Sequence, residues 1–583
     1  MKAKKRETRK TATAAVVAKA PAAPLWTAGP RLYAILAAAA AALVFWVYWP
    51  AVHGPFLFDD TLLPFALPGF KEPLSVWLHN VRPVLFFTYW ANAVVSGDDP
   101  FSYHIVNLII HCITGGLVFL IVRRLVESAG VPFERRTLLA GFAAAIFLLH
   151  PVQTEAVAYL AGRSESLSVM LVFAAFTIFL YRRRTAVSWP VTAIVLALYG
   201  LAVLAKEHTI VLPALLLLTD YWWNPGFSLK GILRNWKIYA LVALGGAAAL
   251  YRFWGLLFYA PSAGFGLQDF KWYQYFFTQC RALFVYIREF LIPVGLRVDW
   301  DFPISYKITD HGAIAGLIVL IALAAAAFAL RRRFPLATYG FFVYLLLMSP
   351  TSSILPIKDP IAERRLYFSI LGLLLIVVDV LARVKIRRTA LAYACVAVAL
   401  CAAAATRVRA AVWSSAEALW TDNVAKSPNK ARDRFQLAFA YYEAQRYSRA
   451  VAEFEQAAKL EAPDYNLLID WGLAYDAVNE PDKALEKLRQ AAAMEPTAHV
   501  YSQIAMVHAK RQQYTEALEA LDKAQQIDSK YSRTYLYRGK VFLSTGRVQE
   551  AVQQYQLALA MNPELEEARQ DLAMVQARLN GGR

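Results

Sequence analysis

Leu32-Tyr-Ala-Ile-Leu-Ala-Ala-Ala-Ala-Ala-Ala-Leu-Val-Phe-Trp-Val-Tyr-Trp49-Pro-Ala-Val-His-Gly54-Pro-Phe-Leu-Phe-Asp59-Asp60 sets the architecture of this chain. Its apolar run, Leu32 to Trp49, comes close to the roughly 20 residues that cross a bilayer core. It leads straight into two adjacent carboxylates. Acids at a membrane mouth are costly to desolvate, so they mark a polar cavity, an ion path or a catalytic base, unless they sit in a hydrated turn.

The rest of the chain weighs between these readings. Of 583 residues 58% are hydrophobic and 18% charged, too apolar for an ordinary soluble protein, and the length allows two or three domains. Ten further apolar runs follow between Tyr103 and Ala405, which predicts a polytopic membrane domain. Basic residues collect in Met1–Arg31, Arg123–Arg136, Arg182–Arg184, Lys230–Lys237, Arg331–Arg333 and Arg383–Arg388. Those segments hold 25 Lys and Arg against three acids, Glu7, Glu127 and Glu134, so the remainder of a +18 chain is slightly acidic. The positive charge is therefore a topology signal that keeps the amino terminus inside. It lies along membrane edges and forms no single basic face, so no nucleic-acid partner is expected.

One segment breaks the alternation. Tyr275 to Pro293 has the length to span but carries Arg281, Arg288 and Glu289, and it is read as re-entrant or interfacial within an outer loop 260–311. About eleven spans remain, and everything after Ala405 falls outside. Residues 1–30 read as a disordered basic cytoplasmic tail, 31–406 as the membrane domain with outer loops 51–102 and 260–311, and 407–583 as a separate domain.

That last part has a period. Spacings of 34, 33 and 34 residues separate Ala431, Tyr465, Ala498 and Ser532, which divides it near 431–464, 465–497, 498–531 and 532–565. Tyr535, Gly539, Phe542, Ala551, Tyr555, Ala558 and Pro563 fall at tetratricopeptide offsets, and Glu564 to Leu579 reads as a capping helix. Such repeats stack into an α-solenoid with a concave face suited to protein partners; a spacer or dimer contact is the plainer reading. The fold class is all-α.

Every outward turn between spans mixes acids with Lys or Arg. The first loop has Asp59, Asp60 and Arg82; the next turns have Glu155 and Arg163, then Lys206 and Glu207, then Glu363, Arg364 and Arg365. For any one of these a solvated charge or a snorkelling side chain is the simpler explanation. Together they suggest a polar site at the outer leaflet, rimmed by cations and holding a carboxylate. The histidines are scattered singly, without paired ligand spacing, so no metal is expected. Cys112, Cys280, Cys395 and Cys401 lie in or beside apolar segments without a CxxC, and no Walker-type or dinucleotide glycine pattern occurs.

The order Phe58-Asp59-Asp60, Arg82-Pro83, His150-Pro151 with Thr154-Glu155-Ala156 and Gly162-Arg163, Ala205-Lys206-Glu207, Glu363-Arg364 before Leu366-Tyr367, and then the repeats is similar to the transmembrane and tetratricopeptide-repeat-containing O-mannosyltransferases. These are integral-membrane GT-C glycosyltransferases. The resemblance implies transfer of a sugar from a polyprenyl-phosphate donor to protein hydroxyls with inversion, and no cofactor. It implies Asp59 or Asp60 as base, and Arg82, Glu155, Arg163, Lys206, Glu207, Glu363, Arg364 and Arg365 on lipid phosphate or sugar. The repeats are fewer than in animal members. Alanine richness suggests a bacterial relative, with the outer side the periplasm. A non-catalytic scaffold is the alternative. A transporter fits less well, because the ionisable residues gather at outer turns and not at the bilayer midplane.

Overall fold

The computed structural model describes residues 29–66, 72–182, 185–260 and 262–581; all but the last two residues of the tail 1–30 lie outside the described residues. Among the described residues the chain is helical, and the only pairing of extended backbone is an isolated bridge between Ala263 and Ile357.

All eleven apolar runs lie in helices. Among the described residues six helices are long and apolar enough to cross a membrane: Arg31–Val52, Pro100–Ser128, Leu160–Leu180, Asp310–Leu330, Glu363–Arg383 and Arg388–Ser414. A bent pair, Phe133–Leu149 with Pro151–Ala158, adds a seventh if it counts as one span. The other runs form helices of 12 to 17 residues, such as Leu212–Trp223, Pro335–Met348 and Trp189–Ala205. At 1.5 Å per residue these fall short of a hydrocarbon core of about 30 Å, so the eleven runs are not eleven spans by length. Tyr275–Pro293 falls mostly in the helix Trp272–Leu291, whose buried face includes Glu289.

Local signals explain the ends. Pro100 opens its helix at N1, where the missing N–H is harmless, and Asp99 Oδ1 accepts from Phe101 N–H at 3.2 Å. The same helix stops at Gly130, whose φ of 73° is left-handed.

Packing between membrane helices depends on close approach, because lipid is as apolar as Leu. Pro335–Met348 and Leu366–Arg383 meet at Gly340 and Gly372: a methyl on Gly340 would sit 2.6 Å from the Gly372 carbonyl oxygen, and one on Gly372 would strike the Gly340 oxygen and the Tyr344 backbone. The obstacle is backbone, which cannot rotate away. Gly372→Ala should therefore destabilise the membrane domain by about 1–3 kcal/mol. Thermal unfolding in detergent measures this, and an unchanged midpoint would mean that the two helices can part freely.

The carboxy-terminal part is four helix pairs: Ala431–Glu443 with Tyr447–Leu460, Tyr465–Ala477 with Pro481–Met494, Ala498–Lys510 with Tyr514–Ile527, and Ser532–Ser544 with Val548–Met561. The helix Glu566–Gly581 closes the stack. Ala450, Ala484, Ala517 and Ala551 are fully buried at equivalent crossings, where a larger side chain would separate the pair. Each turn between paired helices carries one residue at positive φ: Gln445, Asn479, Gln512 and Gly546.

Candidate functional site

The first outer loop is anchored before it reaches its carboxylates. Gly54 lies so close to Trp413 that a Cβ would sit 2.5 Å from that residue's carbonyl oxygen. Phe58 then starts a short helical turn at φ 53°, a conformation that costs a bulky residue of order 1–3 kcal/mol. Its ring is held from three sides, by Trp420 at 5.4 Å, Tyr159 at 6.3 Å and the Arg432 guanidinium at 5.7 Å.

The twin aspartates have different environments. Asp60 is 1% exposed; its Oδ1 accepts from Ala161 N–H at 2.6 Å and its Oδ2 from Leu57 N–H at 3.2 Å. It thereby fastens the first loop to the turn after Pro151. Burial pushes its pKa up to about 8, against the backbone donors that favour the ionised form. Asp59 is exposed. Its N–H donates to the Tyr159 hydroxyl at 3.0 Å, and its carboxylate acts on that phenol electrostatically. Burial and the two neighbouring carboxylates hold the Tyr159 pKa well above its ordinary value, so the phenol stays a donor.

Three ion pairs surround this point. Arg82 grips Glu207 with two hydrogen bonds of 3.0 and 2.7 Å. Lys206 donates to Glu165 at 2.5 Å and Ser164 at 3.3 Å, and His208 Nε2 stands 3.2 Å from the other Glu165 oxygen. Arg364 pairs with Glu155 through its guanidinium and, at 2.8 Å, through its backbone N–H. The pairs are electrostatically joined: Lys206 feels Arg82 and Arg364, and Arg364 feels Tyr159 and Glu165. A chain of charge thus runs from Asp59 through Tyr159 to Arg364, Lys206 and Arg82. Its acids Glu155 and Glu165 are 1% and 4% exposed, whereas Arg82 and Arg364 are 31% and 26% exposed. Arg82 and Arg364 can meet a ligand; Glu155 and Glu165 beneath orient Arg364 and Lys206, while Glu207 is as exposed as Arg82. Burial alone would raise the Glu207 pKa, but Arg82 holds it at about 2. Burial lowers that of Lys206 despite Glu165.

The remaining sequence-predicted residues face inward. Arg163 is fully buried and donates to Asn107 and Asn92 at 2.8 Å each, to Tyr103 O at 2.9 Å and to Thr88 O at 3.3 Å, with its guanidinium over the Tyr89 ring. Arg365 is spent on Pro360 O, Asp359 O and the Tyr275 hydroxyl. One Glu363 oxygen accepts from Arg297 N–H; the other has no hydrogen-bond partner among the described residues, and nor do the carboxylate oxygens of buried Glu289. Hence Asp59, Asp60, Arg82, Glu155, Lys206, Glu207 and Arg364 come together, and Arg163, Arg365 and Glu363 brace the surrounding elements.

A clamp that charge patterning in the loops did not reveal ties the repeats to this site. Asp299 accepts from Arg432 at 2.5 Å and from Lys430, Arg432 also donates to Asp359 at 2.8 Å, and Asn423 accepts from Val298 N–H at 2.8 Å. The same Arg432 caps the Phe58 ring, so the first repeat helix touches the loop that carries Asp59. Among the described residues no group of three or more His, Cys, Asp and Glu is placed to hold a metal ion.

Residues 496–564 match the family model "Tetratricopeptide repeat". The protein O-mannosyl-transferase Tmtc1 of Drosophila melanogaster is 32% identical over 192 residues, 30% of this chain and 21% of that protein. The protein O-mannosyl-transferase TMTC3 of Mus musculus is 26% identical over 204 residues, 31% of this chain and 21% of that protein. Among solved structures, the tetratricopeptide protein YrrB, with "an unusual peptide-binding site", is 17% identical with a TM-score of 0.23, covering 27% of this chain and 80% of that one. The chain is thus similar to the transmembrane and tetratricopeptide-repeat-containing O-mannosyltransferases, over a stretch that spans 21% of the length of each of these two relatives.

Proposed function

We propose that the chain is a GT-C-type glycosyltransferase that moves a sugar, mannose or another hexose, from a polyprenyl phosphate to hydroxyl groups of proteins on the outer face of a membrane, in a bacterium the periplasmic face of the inner membrane. The observation that carries this is the exposed Asp59, whose N–H donates to Tyr159, with Arg364 acting on that phenol electrostatically and coupled in turn to Lys206 and Arg82. In a single displacement the acceptor oxygen bonds to the anomeric carbon as the bond to the phosphate oxygen breaks. Asp59 takes the hydroxyl proton, and the electron pair stays on the phosphate, where preplaced cations stabilise it. The configuration inverts. Tyr159 orients Asp59, and Asp60 holds the loop. Arg432 contacts Phe58, which supports the repeats delivering an acceptor protein beside the base.

A second reading has one observation in its favour: Arg82, Lys206 and Arg364 each already have a carboxylate partner, as in a purely structural network. In that case the chain is a membrane-anchored scaffold for partner proteins. Mass spectrometry of exported proteins from cells with and without the chain separates the two, since loss of a hexose would identify both sugar and acceptor. A cell line carrying Asp59→Asn with Asp60→Asn completes the test: unchanged glycan masses in it would leave only the scaffold. Deleting 429–583 is less decisive, because it also removes the Arg432 support of the Asp59 loop.

A further inference from the structure

A polar cavity lies at the other end of the bundle. The helix Arg163–Leu180 begins beside the Asp59 site and, after about 27 Å at 1.5 Å per residue, ends at this cavity. That is close to one bilayer core, so the cavity belongs to the opposite membrane face. Its volume is about 240 Å³, far above the ~10–15 Å³ that one water needs. Arg124, Ser128, Arg182, Thr185, Asp220 and Trp223 line it.

Two arginines on its wall stand against one carboxylate among the described residues. Arg182 has 10% of its side chain exposed; its Nη1 donates to Phe179 O at 2.8 Å and its Nη2 to Asp220, while its buried Nε has no partner among the described residues. The buried Trp223 indole N–H is likewise unpartnered. Among the described residues Asp220 is the one acid on the wall, and its oxygens already accept from Arg182, from Asn224 at 3.2 Å, and from Asn235 and Tyr239 at 2.6 Å each. Its charge is thus neutralised in place, and it positions Arg182. Around the cavity Arg124 and Arg136 share Glu127, and Arg234 donates to Thr185 at 2.6 Å. Cations therefore exceed carboxylates. Two unpartnered buried donors beneath a basic rim call for an acceptor-rich anion.

The depth of the cavity indicates the source of that anion. Trp189 and Trp236 are 61% and 60% exposed at the starts of neighbouring helices, the position of an interfacial aromatic belt, and Lys237 lies 5.2 Å from the Trp189 ring centre. Basic pockets between membrane helices at this level suit lipid headgroups. We infer that the cavity between the helix ends at Arg124, Arg182 and Trp223 binds the headgroup phosphate of an anionic phospholipid from the leaflet opposite the Asp59 site.

The test uses the full chain in nanodiscs of phosphatidylcholine alone or with one third phosphatidylglycerol. Native mass spectrometry after mild detergent release should find phosphatidylglycerol retained, and Arg124→Gln with Trp223→Phe should lower that retention about tenfold. Trp223→Phe keeps the ring, and equal melting of variant and parent in phosphatidylcholine alone shows that both fold. If millimolar inorganic phosphate raises the melting temperature as much as phosphatidylglycerol does, and only in the parent, the phosphate site stands with a soluble source. Equal retention and equal melting shifts in parent and variant would overturn it.

Discussion

Asp59→Asn is expected to lower glycan transfer by about 10²- to 10⁴-fold, the usual share of a general base, with little change in folding stability. The amide keeps the shape and the bonding to Tyr159 but cannot take the acceptor proton. Asp60→Asn should behave differently, because Asp60 is fastened to Leu57 and Ala161 and is out of reach of an acceptor. An amide oxygen can still accept from Ala161, so transfer should persist. The difference appears in pH dependence. Unfolded, Asp60 ionises near 3.8; folded, it holds its proton to about 8. Between those values the folded state binds the extra proton, so this residue makes stability fall as pH rises from about 4 to about 8. Asp60→Asn should flatten that fall, as read from denaturant midpoints across the range. If Asp60→Asn abolishes transfer and Asp59→Asn does not, the roles are reversed.

The difference between the two carboxylates could not be read from their adjacency. In the sequence Asp59 and Asp60 are equivalent acids; what separates them is the backbone N–H of Ala161, a residue 101 positions away. The same limit applies to the basic residues. Arg163 and Arg364 look alike as Arg at outward turns, yet Asn92 and Asn107 enclose the first and Glu155 orients the second. Charge patterning does not mark Tyr159, because a phenol carries no charge. The repeats were legible because their information is local: small residues at Ala450, Ala484, Ala517 and Ala551 recur with the helix crossings they permit. Apolar runs were legible as helices for the same reason. Their lengths were not, since a run such as Ile210 to Leu218 is split between the short turn Glu207–Val211 and the 12-residue helix Leu212–Trp223, which packing against neighbours can complete without crossing a bilayer.

Arg364→Met should have the second large effect, and it tests whether the cations serve chemistry or only architecture. Glu155 is 1% exposed and both of its hydrogen bonds come from Arg364, so removing the guanidinium leaves a buried carboxylate with only the backbone N–H as donor. Breaking a buried pair in this way costs about 3–5 kcal/mol, enough to lower the yield of folded protein and its melting temperature together. Adding Glu155→Gln removes the stranded charge, so the double variant should recover most of the melting temperature. Transfer should not recover with it. A donor aimed at charge that develops on a leaving oxygen is worth about 10²–10³ in kcat, and the double variant lacks that donor. A fall in kcat at unchanged KM assigns Arg364 to the departing phosphate, whereas a raised KM at unchanged kcat assigns it to donor binding in the ground state. Full recovery of both constants in the folded double variant would make the Glu155–Arg364 pair a structural brace and shift the phosphate-stabilising role to Lys206 and Arg82.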